Sequence, residues 1–360
     1  MIAVKGVMRM SKLKEILSEI EPGDQAAAEA CQKHLDHIAK PLGSLGELEN
    51  ILCMIARAQG SANISTGKKC VLVYCGDNGI VAQGVAQSDH TVTTSIARSL
   101  AANHSSVCVM ASSCGAETFP IDVGMVDDVP EIMDRKVARG THDFSEGPAM
   151  TREEAEKAIM TGVESAIEMS RKGFDIIATG EAGIGNTSSS SAVASVLLGL
   201  DPEVVTGRGS GLTDDGLKRK LDAISRGISD NRPDRNDVVD VLAKVGGFDI
   251  CAMCGTFIGG ALSHTPVVMD GLISSVAALC AFRLSNAVRD YMIPSHKSAE
   301  PAAKHIMEEL GFTPILDARM RLGEGSGAVT LFPVIDMAAS VYRNAAVFEE
   351  INVEQYRRLS

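Results

Sequence analysis

Apolar positions recur along this chain with two different periods. Between residues 11 and 60 they fall three and four apart, with Leu13, Ile16, Leu17 and Ile20 on one face and Leu45, Leu48, Ile51, Leu52 and Ile55 on another, which predicts a small helical module. Lys40-Pro-Leu-Gly-Ser-Leu-Gly46 interrupts it, with Ser44 placed to cap the helix that follows. From Lys69 the texture changes: Cys70-Val-Leu-Val-Tyr-Cys75 is a short continuous apolar run ending in Gly76-Asp-Asn-Gly79, the profile of a strand buried on both faces that feeds a loop. The same profile recurs at Thr118 to Val123, Phe174 to Ala178 and Thr265 to Met269, closed by Gly124, Gly180 and Asp270-Gly271. Helical patterns over 152–170, 188–198, 212–229 and 273–288 separate or follow these strands. The alternation predicts an α/β fold, an open and mostly parallel Rossmann-like sheet with helices on both faces. Helical stretches at 331–346 and 348–359 close the chain. The expected domains are a small helical one from residues 1–60 and 336–360 and a large α/β catalytic domain from 61–335.

Composition narrows the function classes. A length of 360 residues suits one large core with an accessory domain. A net charge of −12 opposes broad attraction to nucleic acid or anionic membrane. The nine cysteines lie mostly in apolar stretches and are odd in number, as expected of reduced thiols in a cytoplasmic protein. Cys251-Ala-Met-Cys254 has redox or zinc spacing but no second pair, and reads as buried helix cysteines. His90, His104, His142 and His264 lack ligand spacing, so neither a metal nor a cofactor is expected. The opening segment is too short and charge-interrupted for a signal sequence, and no run reaches the roughly 20 apolar residues of a membrane span. Met10, just before Ser11, is an alternative start of translation.

Candidate chemistry gathers where strands end. In open sheets of this kind ligands sit beyond the carboxyl ends of the strands, and Asp77, Asp122, Glu181 and Asp270 fall at or near such ends. Glu324, held between glycines in Arg321-Leu-Gly-Glu-Gly-Ser-Gly327, is the leading candidate for a catalytic base, since glycines strip away neighbouring side chains and permit close approach. Glu181 has a similar frame in Gly180-Glu-Ala-Gly-Ile-Gly-Asn-Thr187. The hydroxyl-rich Ser188 to Ser191 after it marks either an anion-binding helix start or an ordinary turn with a serine cap. Gly207-Arg-Gly209 fits neither a Walker loop nor the dinucleotide fingerprint. A phosphate monoester on glycine amides and Lys220 is feasible, the alternative for Lys220 being a solvated lysine on a helix face. His296, in Pro294-Ser-His-Lys-Ser298-Ala-Glu300, reads as loop wall.

Taken together, Gly76 to Gly79, Gly180 to Thr187, Lys244-Val-Gly-Gly-Phe-Asp249, Pro266 to Gly271, Ile293 to His296, Ser298 to Glu300 and Arg321 to Gly327 resemble, in order, the nicotinate-nucleotide:dimethylbenzimidazole phosphoribosyltransferases, from about Lys40 to Ala339. The resemblance implies transfer of phosphoribosyl from nicotinate mononucleotide to dimethylbenzimidazole, with Glu324 as the catalytic glutamate and Glu181 as a second acid. It further implies that Lys220 is an active-site lysine, that Gly183, Gly209 and Ser298 bind nucleotide and phosphate, and that Ser88 faces the aromatic base. Ile96 stands where relatives have glutamine and Ala182 where they have leucine, which implies a roomier, more apolar base pocket. The family implies homodimers in which the partner's helical domain completes each site. Some relatives accept phenol or p-cresol and work as heterodimers of paralogues, which is the alternative for this chain.

Overall fold

The computed structural model describes residues 12–209 and 211–356, so Met10 lies outside the described residues. Six strands form one sheet: β1 (Lys69–Gly76), β2 (Glu117–Gly124), β3 (Met133–Asp134), β4 (Ile176–Ala182), β5 (Val267–Met269) and β6 (Met292–Pro294). Every pairing is parallel and the order is β3-β2-β1-β4-β5-β6, which makes the sheet doubly wound. The pleat explains why β1 is apolar throughout. Cys70, Leu72 and Tyr74 enter the core on one face of the sheet, while Val71, Val73 and Cys75 enter the core on the other.

The helices are α1 (Lys12–Leu17), α2 (Gln25–His37), α3 (Glu47–Gln59), α4 (His90–Ala101), α5 (Ser106–Ser113), α6 (Arg152–Arg171) and α7 (Asn186–Leu198). They continue with α8 (Pro202–Val205), α9 (Asp214–Asn231), α10 (Val238–Val245), α11 (Phe248–Leu262), α12 (Leu272–Leu284), α13 (Pro301–Leu310) and α14 (Ser326–Asn344). Helices α6, α7 and α9 to α12 cover one face of the sheet; α3, α5 and α14 cover the other. Helices α6 and α11 pack backbone to backbone, since a Cβ on Gly162 would lie 1.8 Å from the Ala252 carbonyl oxygen and one on Gly255 would lie 1.8 Å from that of Ile159. No helix among the described residues is long and apolar enough to cross a membrane. All nine cysteines are free thiols, with Cys251 and Cys254 buried in α11.

Several expected elements differ. Helix α1 stops at Leu17, where the Ser18 hydroxyl donates to the Glu15 carbonyl at 2.6 Å, although Ile16, Leu17 and Ile20 still pack on the core. Ser44 does not cap α3. Gly46 precedes that helix at φ 56°, and the buried Glu49 carboxylate reaches back to the Leu45 amide at 3.1 Å and the Lys40 amine at 2.7 Å. The stretch 273–288 breaks at the extended Ser285 into α12 and a 3-10 turn, Asn286–Tyr291. The helix expected over 348–359 is only a 3-10 turn at Phe348–Ile351, ended by Asn352 in the left-handed region, with no helix at 353–356. Helix α14 starts at Ser326, two residues after Glu324, and crosses position 336 without a break.

Candidate active site

At the crevice between β1 and β4 the chain winds outward in opposite directions, and a cavity of ≈ 240 Å³ opens at this carboxyl edge of the sheet. Glu181 and Ala182 end β4 in its wall, and Asp270 follows β5. Opposite stands the loop before α14, where Gly323, Glu324 and Gly325 have φ of 89°, 62° and 93°. Glycine takes this conformation freely. For Glu324 the left-handed region costs about 1–2 kcal/mol, so surrounding contacts have to hold it there. The loop seats closely on β4: a Cβ on Gly180 would lie 2.3 Å from the Glu324 carbonyl oxygen, and one on Gly323 would lie 2.6 Å from the side-chain Oε1 of Glu181.

The two glutamates sit in different surroundings. Glu324 Oε2 accepts the Val107 amide at 3.3 Å, in the first turn of α5. Burial raises its pKa above the ordinary 4.5; that amide opposes the rise and the negative charge of Asp270 adds to it. A carboxylate tuned upward in this way is a better proton acceptor near neutrality. Glu181 Oε2 accepts the Asn186 amide at 2.5 Å, and the same nitrogen donates to Asp249 Oδ2 at 3.0 Å. Burial holds the Glu181 pKa well above 4.5, reinforced by Asp249, Asp270 and Glu324 and opposed by the Asn186 bond. Asp249 is itself pushed up to about 6 by burial. Burial and three acidic neighbours therefore favour the protonated form of Glu181 more strongly than that of Glu324.

The far end of the pocket is built from loops. Thr187, Arg208, Gly209, Ser298 and Glu300 line it. The Gly209 amide donates to Glu300 Oε1 at 3.1 Å, which shows that this turn presents an N–H to an anionic oxygen. Lys220 is not the solvated helix-face lysine that was one reading of the sequence. It is fully buried behind this wall and does not line the cavity, with Nζ donating to Thr187 Oγ1 at 2.9 Å and the Gly207 carbonyl at 3.1 Å. Burial lowers its pKa to about 8, opposed by Glu300.

Of the other residues singled out in the sequence, Ile96, Ala182, Gly183, Gly209 and Ser298 line the cavity with the two glutamates. Ser88 does not line it and is exposed, one residue before Asp89, which caps α4 through the Thr91 amide at 3.0 Å. His296 is wall, as expected. Its ring also packs on Gly327, where a Cβ would come within 1.9 Å of Nδ1. Asn186 was missed, although its place at the start of a helix in Gly183-Ile-Gly-Asn186 was a usable signal. Arg208 was missed as a lining residue; only its place between two glycines hinted at it.

The fold and the pocket define a doubly wound α/β enzyme whose acids flank a partly apolar cavity. A family model described as Phosphoribosyltransferase matches residues 20–353. Nicotinate-nucleotide–dimethylbenzimidazole phosphoribosyltransferase of Acetivibrio thermocellus is 45% identical over 328 residues, 91% of this chain and 93% of the relative. The protein of the same name from Ruminiclostridium cellulolyticum is 43% identical over 348 residues, 96% of this chain and 99% of the relative. The crystal structure of CobT from Thermus thermophilus superposes with a TM-score of 0.86 at 34% identity, covering 95% of this chain and all of that one. The chain belongs to this phosphoribosyltransferase family.

Proposed function

We propose that the chain transfers phosphoribosyl from nicotinate mononucleotide to dimethylbenzimidazole, giving α-ribazole phosphate and nicotinate. An azole nitrogen lone pair forms the new bond to the anomeric carbon. The bond from that carbon to the pyridinium nitrogen breaks, and its electron pair leaves with nicotinate, neutralising the ring nitrogen. Because the leaving group already carries positive charge, it needs no protonation. The azole N–H proton goes to the Glu324 carboxylate.

The observation that carries this reading is a carboxylate of raised pKa, held by a glycine-flanked left-handed turn and sharing one cavity with a second glutamate whose pKa burial raises further. Ile96, Ala182, Ile184 and Leu272 supply apolar wall for a flat base, while the Gly209 and Ser298 loops supply donors for the phosphate. The site works in a cytoplasmic homodimer. The helices within residues 12–60 and the C-terminal part of α14 serve as an accessory element that closes the partner's pocket, and Leu322 at the pocket mouth and Met337 on α14, 55% and 61% exposed, are apolar surface for that contact.

Ile96 in the wall also favours a second acceptor class, phenol or p-cresol, joined through oxygen and, in that case, with a paralogous partner. Incubating the purified chain alone with nicotinate mononucleotide and dimethylbenzimidazole, benzimidazole, phenol or p-cresol decides. Release of nicotinate with formation of α-ribazole phosphate is expected. Turnover of phenols only would move the assignment to the second class, and no turnover with any acceptor would overturn the homodimeric reading, leaving the second to be decided by the same assay with the paralogous partner added.

A further inference from the structure

The Glu324 carboxylate is useful only while its strained backbone stays where it is, and the groups that hold it can be traced. On the downstream side, Asp270 Oδ1 accepts the amides of Gly327 at 2.7 Å and Ala328 at 3.1 Å, the exposed donors of the first turn of α14. Asp270 is fixed in turn: its own amide donates to Ser274 Oγ at 3.0 Å, and that oxygen lies 2.6 Å from Thr179 Oγ1 on β4. The His296 ring closes the other side of the turn against Gly327. The start of α14 is thereby fastened to the tips of β5 and β4, three residues past Glu324.

We propose that Asp270 is the positioning residue of this site, tying the first turn of α14 to the sheet so that Glu324 is held at the pocket. This rests on Glu324 being the base. A carboxylate suits the task better than a neutral side chain, because one of its oxygens accepts two helix-terminal amides at the positive end of the helix dipole, contacts that oppose the rise in its pKa that burial causes. Its charge also disfavours ionisation of Glu324. The other groups facing this pair are Glu181 on β4 with Asp249 behind it, His296 after β6, Arg321 in the loop itself, and Arg208 and Glu300 across the cavity. Helix α5 contributes the Val107 amide and α12 contributes Ser274.

The test compares wild type with Glu324→Gln, Asp270→Asn and Asp270→Ala in the full-length protein, measuring kcat, KM for each substrate and the pH profile of kcat/KM. Asparagine retains an oxygen that can accept both amides but carries no charge. Asp270→Asn should therefore shift the acid limb toward lower pH and keep more activity than the alanine variant. Asp270→Ala frees the turn, and a displacement of about 1 Å at the base should lower kcat on the order of 100-fold with the nucleotide KM near wild type. An unmoved acid limb in Asp270→Asn overturns the proposal, as does wild-type kcat, or a loss confined to KM, in Asp270→Ala. If the alanine variant does not fold, the asparagine profile alone decides. Wild-type turnover in Glu324→Gln would instead remove Glu324 as base, an outcome separate from any result at position 270.

Discussion

Gly180→Ala tests the close seating of the base loop on the sheet. Gly180 lies inside β4 and is not among the residues with positive φ, so alanine meets no backbone penalty there. The added Cβ would lie 2.3 Å from the Glu324 carbonyl oxygen, 2.7 Å from its carbonyl carbon and 3.0 Å from the Gly325 nitrogen. All three are backbone atoms that no rotamer change can move. Ordinary contact begins near 3.4 Å, so one of the two segments has to retreat by roughly 1 Å. Strand β4 is hydrogen-bonded between β1 and β5, whereas the loop is free on its pocket side; the loop yields and takes Glu324 with it. A misplacement of about 1 Å at a reacting group costs on the order of 100-fold in kcat, and overpacking of this kind costs about 1–3 kcal/mol of stability. Steady-state nicotinate release gives kcat and both KM values, and denaturant unfolding gives the stability. A folded Gly180→Ala protein with wild-type kcat would refute the claim that the backbone contact sets the position of the base.

Further predictions concern charge state. Glu181→Gln preserves a neutral hydrogen-bonding group in surroundings that favour the protonated acid, so it should keep far more activity than Glu181→Ala; equal losses in initial-rate assays would contradict this. Because the folded pKa of Glu181 lies above its ordinary 4.5, the unfolded chain releases that proton first. Wild type should therefore lose stability relative to Glu181→Gln as pH rises above about 4.5, and parallel denaturant midpoints at pH 5 and 8 would argue against a protonated Glu181. Lys220 behaves oppositely. Its amine has a folded pKa of about 8 against an ordinary 10.5, so the folded protein gives up the proton before the unfolded chain does. Wild type should gain stability on Lys220→Met as pH rises from about 8 toward 10.5, and a pH-independent difference would exclude the buried charge as its cause.

Legibility followed how local the cause of each feature was. Strand β1 was plain in the sequence because a strand buried on both faces has to be apolar at every position. Strand β6, only Met292–Pro294, was not: three residues carry no periodicity, and the proline argues against a strand. Ser326-Gly327 resemble loop rather than helix, so the early start of α14 was hidden; it depends on Asp270, which is 57 residues away in sequence. The glutamates at 181 and 324 were legible because glycines flank them. The burial of Lys220 was not, since the wall that covers it comes from Thr187 at the start of α7 and Gly207 in the loop before α9. Ser88 was singled out by resemblance alone, and in the structure it stands apart from the cavity wall.

The single-turnover rate of Glu324→Gln with nicotinate mononucleotide and dimethylbenzimidazole addresses proton transfer itself, free of product release. Glutamine keeps the shape and the hydrogen bond from Val107 but cannot take a proton. The rate should fall about 100- to 10,000-fold with folding intact, whereas a rate near wild type would mean that the azole proton leaves by another route.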